Sequence, residues 1–126
     1  MTIAANVFIS LAALLHAYFF FLESIAWGRV RTNKIYGIKS QAEAETIRVY
    51  AFNQGFYNLF LALGIVAGLV MEYSGRIVEG HAVLVFCALS IMGAGLALFI
   101  SVRKMWPASL IQAGPAALYL LLSYFS

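Results

Sequence analysis

Four stretches of the chain contain no Lys, Arg, Asp or Glu, and each is about as long as a membrane-crossing helix. They cover residues 1–22, 49–71, 82–102 and 105–126. An α-helix needs roughly 20 apolar residues to cross about 30 Å of hydrocarbon. The chain is 63% apolar and 10% charged, whereas soluble domains carry about 25% charge. The sequence therefore predicts an all-α integral membrane protein, a four-helix bundle.

The charges that separate these stretches set the expected bounds. We expect one transmembrane domain over residues 1–126, with spans at about 2–25, 47–71, 82–102 and 107–125 and a longer connection at 27–46. The first stretch has no basic residue before its apolar run and exceeds the roughly 7 to 15 residues of a signal-peptide core. It is therefore predicted to be a retained span.

Basic residues predict the orientation. The first connection carries five of them, the third two and the second one: Arg29, Arg31, Lys34, Lys39 and Arg48; Arg103 and Lys104; Arg76. Cytoplasmic connections are enriched in Lys and Arg, so both termini are expected on the outer, periplasmic side of a bacterial inner membrane. Because these residues flank spans, the net charge of +3 predicts contact with lipid headgroups and no nucleic-acid binding.

The first connection also carries a helix-start pattern. Ser40 and Glu43 are spaced as a capping box, with Ser40 as the N-cap. We expect the second helix to begin near Gln41 and to run about two turns before it enters the membrane.

Strongly polar residues interrupt the apolar stretches at matching depths. The second span contains the block Asn53-Gln54-Gly55-Phe56-Tyr57-Asn58. In the first span, Glu23 and His16 are seven residues apart, nearly two α-helical turns, which predicts one shared face. Polar groups in hydrocarbon are costly unless they meet partners. The predicted ligand-binding set in the cytoplasmic half is His16, Glu23, Asn53, Gln54, Tyr57, Asn58 and Gln112.

Metal and cofactor sites are not expected. His81 is predicted at the outer end of the third span, far from His16, and His16 with Glu23 gives too few ligands for a closed zinc site. The lone Cys87 lies in mid-span. Phosphate-binding glycine loops and nucleophile elbows are absent from the sequence.

The order of these residues resembles a family of small bacterial membrane proteins known as domain of unknown function 1304. The resemblance rests on His16, Glu23 and Trp27, on the segments 34–38, 43–46 and 53–62, and on Gln112-Ala113-Gly114-Pro115-Ala116. Its most specific part is the Asn-Gln-Gly-x-Tyr-Asn block. The resemblance implies a four-helix membrane protein and supplies no established reaction.

Three functional classes fit the pattern. In the first, a cytoplasm-facing intramembrane pocket binds or transports a small polar, cationic or amphipathic molecule, with Glu23 supplying charge and the amides orienting the ligand. In the second, His16 and Glu23 perform acid-base chemistry on a lipid-like substrate. In the third, the chain is a structural subunit whose polar faces pack against a larger membrane complex. The Gly64 to Gly68 spacing fits either a homo-oligomer or helix packing within one chain.

Overall fold

The computed structural model describes residues 3–126, and over these residues every regular element is helical. The helices are α1 (Ile3–Phe20), extended by a π turn (Phe21–Ile25), α2 (Val30–Tyr36), α3 (Gln41–Thr46), α4 (Arg48–Tyr73), α5 (Ile77–Ser101) and α6 (Trp106–Tyr124), the last preceded by a 3-10 turn (Arg103–Met105). Four of these segments are long and apolar enough to cross a membrane: Ile3–Ile25, Arg48–Tyr73, Ile77–Ser101 and Arg103–Tyr124. The predicted all-α fold with four spans is confirmed, and the chain is a multi-pass membrane protein.

The chain divides into two compact units. One unit takes the chain up to Leu15 and from Leu61 onward, and the other is His16–Phe60. In the first unit, α1, α4, α5 and α6 share one apolar core. Its buried members are Ala5, Ile9, Ala12, Ala13, Ala62, Ile65, Leu84, Cys87, Ala88, Ile91, Ala116 and Tyr119.

Small residues let α4 and α5 approach closely within this first unit. A Cβ added at Gly64 would lie 2.9 Å from the Cys87 sulfur, and one added at Gly68 would lie 2.8 Å from Leu84 side-chain carbons. The spacing of Gly64 and Gly68 is thus used for packing within one chain.

The second unit contains the end of α1, the π turn, α2, α3 and the first half of α4. The predicted N-cap is confirmed, because Ser40 Oγ accepts a hydrogen bond of 3.1 Å from the Glu43 amide. The expectation of one continuous helix from Gln41 is wrong, since α3 ends at Thr46 and α4 begins at Arg48. Thr46 Oγ1 donates to the Ala42 carbonyl, a bond that commonly bends helices.

Hydrogen bonds join the beginning of the connection to its later part. The Trp27 indole N–H donates to the Ala44 carbonyl at 2.9 Å, and Gln41 Nε2 donates to the Gly28 carbonyl at 2.8 Å. Gly28 has φ +87, where a side chain would be strained, and a Cβ there would lie 2.6 Å from an Arg48 nitrogen. The connection is therefore a folded part of the second unit.

Candidate functional site

Glu23 lies in the π turn that ends the first span. The turn is closed by the Ala26 amide, which donates to the Phe21 carbonyl five residues earlier at 2.8 Å. A π turn holds one more residue than an α-helical turn and is frequent at functional sites. Because the helix changes its period here, the α-helical argument that placed Glu23 and His16 on one face does not extend through this turn.

The Glu23 carboxylate is buried, and each of its oxygens accepts a hydrogen bond. Tyr36 of α2 donates its phenol to Oε2 at 2.6 Å, and Asn58 of α4 donates Nδ2 to Oε1 at 2.8 Å. Only 8% of the Glu23 surface is exposed, and 6% of that of Asn58. Three elements of the second unit thus converge on one carboxylate.

Tyr36 remains a hydrogen-bond donor over the physiological pH range. Burial raises the pKa of its phenol, and the hydrogen bond to Glu23 raises that pKa further. The Tyr36 ring also contacts Trp27 edge-on, with ring centroids 5.2 Å apart. Tyr36 is therefore fixed both by its hydroxyl and by its ring.

Gly55 permits the close approach of α4 to the π turn. A Cβ at position 55 would lie 1.9 Å from Ser24 Oγ and 3.1 Å from the Ser24 backbone nitrogen. Ser24 Oγ donates to the Phe52 carbonyl at 2.8 Å, one turn earlier on α4. The glycine within the polar block thus lets Asn58, three residues further along, reach Glu23.

Two cavities adjoin Glu23. The first, about 270 Å³, is lined by Glu23, Trp27, Tyr36, Ile47, Tyr50, Ala51 and Gln54. The second, about 250 Å³, is lined by Glu23, Ser24, Trp27, Arg48, Val49 and Phe52. Glu23 and Trp27 line both cavities. The other walls of the first cavity are mostly aromatic and aliphatic, whereas the second cavity also contains the polar side chains of Ser24 and Arg48.

The residues of the predicted set lie in different environments. Glu23 and Gln54 line the first cavity, and Asn58 is hydrogen-bonded to Glu23. Asn53 is exposed and donates to the Val49 carbonyl of its own helix, while Tyr57 is 67% exposed.

The two remaining members are not among the residues that line these two cavities. His16 is fully buried, with its ring 5.3 Å from that of Phe19, and Gln112 lies half-buried on α6 in the first unit. Their membership of a ligand site remains a prediction.

The sequence reasoning left out three residues that the structure places beside Glu23: Tyr36, Trp27 and Tyr50. Tyr36 lies outside the apolar stretches, where a phenol gives no depth signal, and tryptophan is common at membrane interfaces whatever the function. An ion pair between Glu23 and Arg48, one non-functional explanation of that carboxylate, is not formed within residues 3–126, because Arg48 pairs with Glu45.

Comparison with known families settles the relationship that the sequence suggested. Residues 10–124 match the model of a family described as "Protein of unknown function (DUF1304)". The chain belongs to the DUF1304 family. Comparison with curated proteins and with solved structures found no match. The matched part of this DUF1304 protein contains Glu23, Tyr36, Asn58 and every residue that lines the two cavities.

Proposed function

We propose that this protein binds a small cationic or amphipathic molecule beside Glu23, in the inner membrane and with the site open toward the cytoplasm. The observation that carries the proposal is a buried carboxylate, held by Tyr36 and Asn58, that borders two cavities, the first of which has three aromatic residues in its wall. An ionisable side chain within a membrane span is costly and generally marks a functional site.

The chemistry of the walls selects the ligand class. The first cavity combines a carboxylate with Trp27, Tyr36 and Tyr50. Aromatic faces attract ammonium groups, and an aromatic cage with a nearby negative charge is a known means of recognising quaternary ammonium. A carboxylate whose two oxygens already accept hydrogen bonds still has lone pairs and charge to offer a cation. We therefore expect an ammonium or amine headgroup to occupy the space.

The cavity volumes limit the ligand. Sites for drug-sized ligands span about 300 to 1,000 Å³, and each cavity here lies just below that range. A headgroup of a few heavy atoms fits, and any longer apolar tail would extend past Val49 or Phe52, which line the second cavity and are exposed.

Tryptophan fluorescence tests the proposal. Trp27 and Trp106 are the chain's two tryptophans, so Trp106→Phe leaves Trp27 as the reporter. In lipid nanodiscs, butyltrimethylammonium is expected to produce a saturable change in Trp27 emission, and its neutral isostere 2,2-dimethylhexane is expected to produce none.

Matched carboxylate variants give the control. Glu23→Gln should raise the apparent dissociation constant for the ammonium compound by about tenfold or more, because it removes a buried charge partner. Glu79→Gln, which alters an exposed carboxylate paired with Arg76, should leave the response unchanged. Equal responses to the ammonium compound and its neutral isostere would refute the proposal.

A further inference from the structure

The first unit contains its own buried carboxylate, Glu72 near the end of α4. Its side chain is 1% exposed, and within residues 3–126 neither carboxylate oxygen has a hydrogen-bond partner. Gly80 of α5 packs against it so closely that a Cβ there would lie 2.6 Å from the Glu72 Cγ. Glu72 belongs neither to the Glu23 cluster nor to the predicted set.

One histidine connects this carboxylate with the surroundings. His81 Nδ1 lies 3.8 Å from Glu72 Oε1, and the His81 side chain is 43% exposed. The same Nδ1 lies 3.4 Å from the hydroxyl of Tyr119, which is fully buried on α6. The imidazole is thus partly exposed on one side and lies close to a buried carboxyl group on the other.

Other charged side chains at this end of the unit pair with each other. Arg76 and Glu79 pair with each other at 3.4 Å, and Asn6 of α1 donates to the Tyr73 hydroxyl at 3.0 Å. In residues 3–126, His81 is the titratable side chain with a nitrogen within 4 Å of the Glu72 carboxylate.

We propose that Glu72 and His81 form an exchangeable proton site, in which His81 carries protons between the surroundings and Glu72. In the loading step, the imidazole takes a proton at Nε2 and its Nδ1–H proton passes to Glu72 Oε1. The N–H bond breaks, an O–H bond forms, and the products are a neutral imidazole and a neutral carboxylic acid. The gap of 3.8 Å exceeds a hydrogen bond, so the step needs a small approach of the two groups or one bridging water.

Tyr119 suits both states of the histidine. Its hydroxyl can accept a hydrogen bond from a protonated Nδ1 and can donate one to the bare nitrogen after the proton has left. Histidine and carboxylate chains of this kind form proton relays in membrane proteins. The site is independent of any ligand beside Glu23, so either proposal can fail alone.

Infrared difference spectroscopy of the full chain in lipid nanodiscs tests the site. Between about pH 5 and pH 9, the range in which a histidine titrates, we expect a protonated carboxylic acid C=O band that is lost in Glu72→Gln and kept in Glu79→Gln. A band absent throughout this range would mean a permanently ionised carboxylate and would overturn the proposal.

Isotope exchange tests the role of His81 while Glu72 remains intact. On transfer from H₂O to D₂O, His81→Gln should slow the exchange of the Glu72 band by about tenfold. Tyr119→Phe should leave the band in place, since Tyr119 orients the ring and carries no proton to Glu72. Unchanged exchange in His81→Gln would contradict the relay, whatever the behaviour of the Glu72→Gln variant.

Discussion

Asn58 and Asn53 are the same residue type on one helix and make different bonds. Asn58 is buried and donates to Glu23, whereas Asn53 is exposed and donates back to the Val49 carbonyl. A donor to a buried charged group is costly to remove, because the charge then loses a partner. Asn58, the last residue of the polar block, is therefore expected to contribute more to stability than Asn53.

Replacing the two asparagines in turn tests this difference. Asn58→Leu is expected to lower the free energy of unfolding by about 2 kcal/mol, measured by denaturant titration in detergent. Asn53→Leu should change it by less than about 0.5 kcal/mol. Equal losses in the two variants would contradict the assignment.

Ionisation of Tyr36 is expected to make the folded protein less stable at alkaline pH. Burial and the bond to Glu23 raise the pKa of this phenol, so as pH rises past its ordinary value of about 10 the unfolded chain loses this proton before the folded chain does. The contribution of Tyr36 to the free energy of unfolding is therefore complete below about pH 10 and decreases above it.

The loss is expected to be smaller in Tyr36→Phe, which has no phenol to ionise. Thermal unfolding compared at pH 9 and about pH 11 measures the difference. Tyr50→Phe, which alters a 75% exposed phenol, should follow the wild-type pH dependence. An identical decline in Tyr36→Phe would show that other groups cause it.

At the scale of elements, the contact between the π turn and α4 depends on Gly55. Its absent side chain brings the backbone of Ser24 against α4. Forcing atoms into such a contact typically costs about 1–3 kcal/mol. The polar block is thus held in place by the glycine within it.

Gly55→Ala is accordingly expected to destabilise the protein by about 2 kcal/mol and to abolish the Trp27 response to ammonium. Gly93→Ala is the matched control, because nothing lies within 4 Å of a Cβ added at that helical position, and it should be neutral or slightly stabilising. Thermal unfolding of both variants checks the comparison. Tolerance of alanine at position 55 would disprove the close contact.

The sequence was informative where polarity stands out against an apolar background. Glu23 and Asn58 were found because a carboxylate and a carboxamide are conspicuous in a span. Tyr36 escaped notice because its partner is set by how the connection folds, which helical periodicity does not encode. Glu72 and His81 escaped because charge at the end of a span is ordinary, and only the packing of α4, α5 and α6 shows that Glu72 is buried.

At the scale of the whole molecule, the four spans follow from length and hydropathy, whereas the orientation remains a prediction from charge. The first connection holds the largest group of basic residues. If that group retains the connection in the cytoplasm, the termini lie outside.

Neutralising this group should disturb the orientation. With Arg29, Arg31, Lys34 and Lys39 all changed to Gln, we expect a mixed population, measured with a C-terminal alkaline phosphatase fusion that is active only outside the cytoplasm. In the wild type, all fusion molecules should have the phosphatase outside the cytoplasm and be active. An inactive wild-type fusion would reverse the predicted topology and place the opening beside Glu23 on the other side of the membrane.

The π turn at Phe21–Ile25 has a genetic meaning as well as a geometric one. A ring closed five residues apart differs from an α-helical ring by one residue. Removing one residue from this turn, a single codon of the gene, would therefore allow the span to continue as a regular α-helix. Deleting the codon for Leu22 is such an edit, and it would keep the span while it rotates Glu23 away from its two donors, Tyr36 and Asn58.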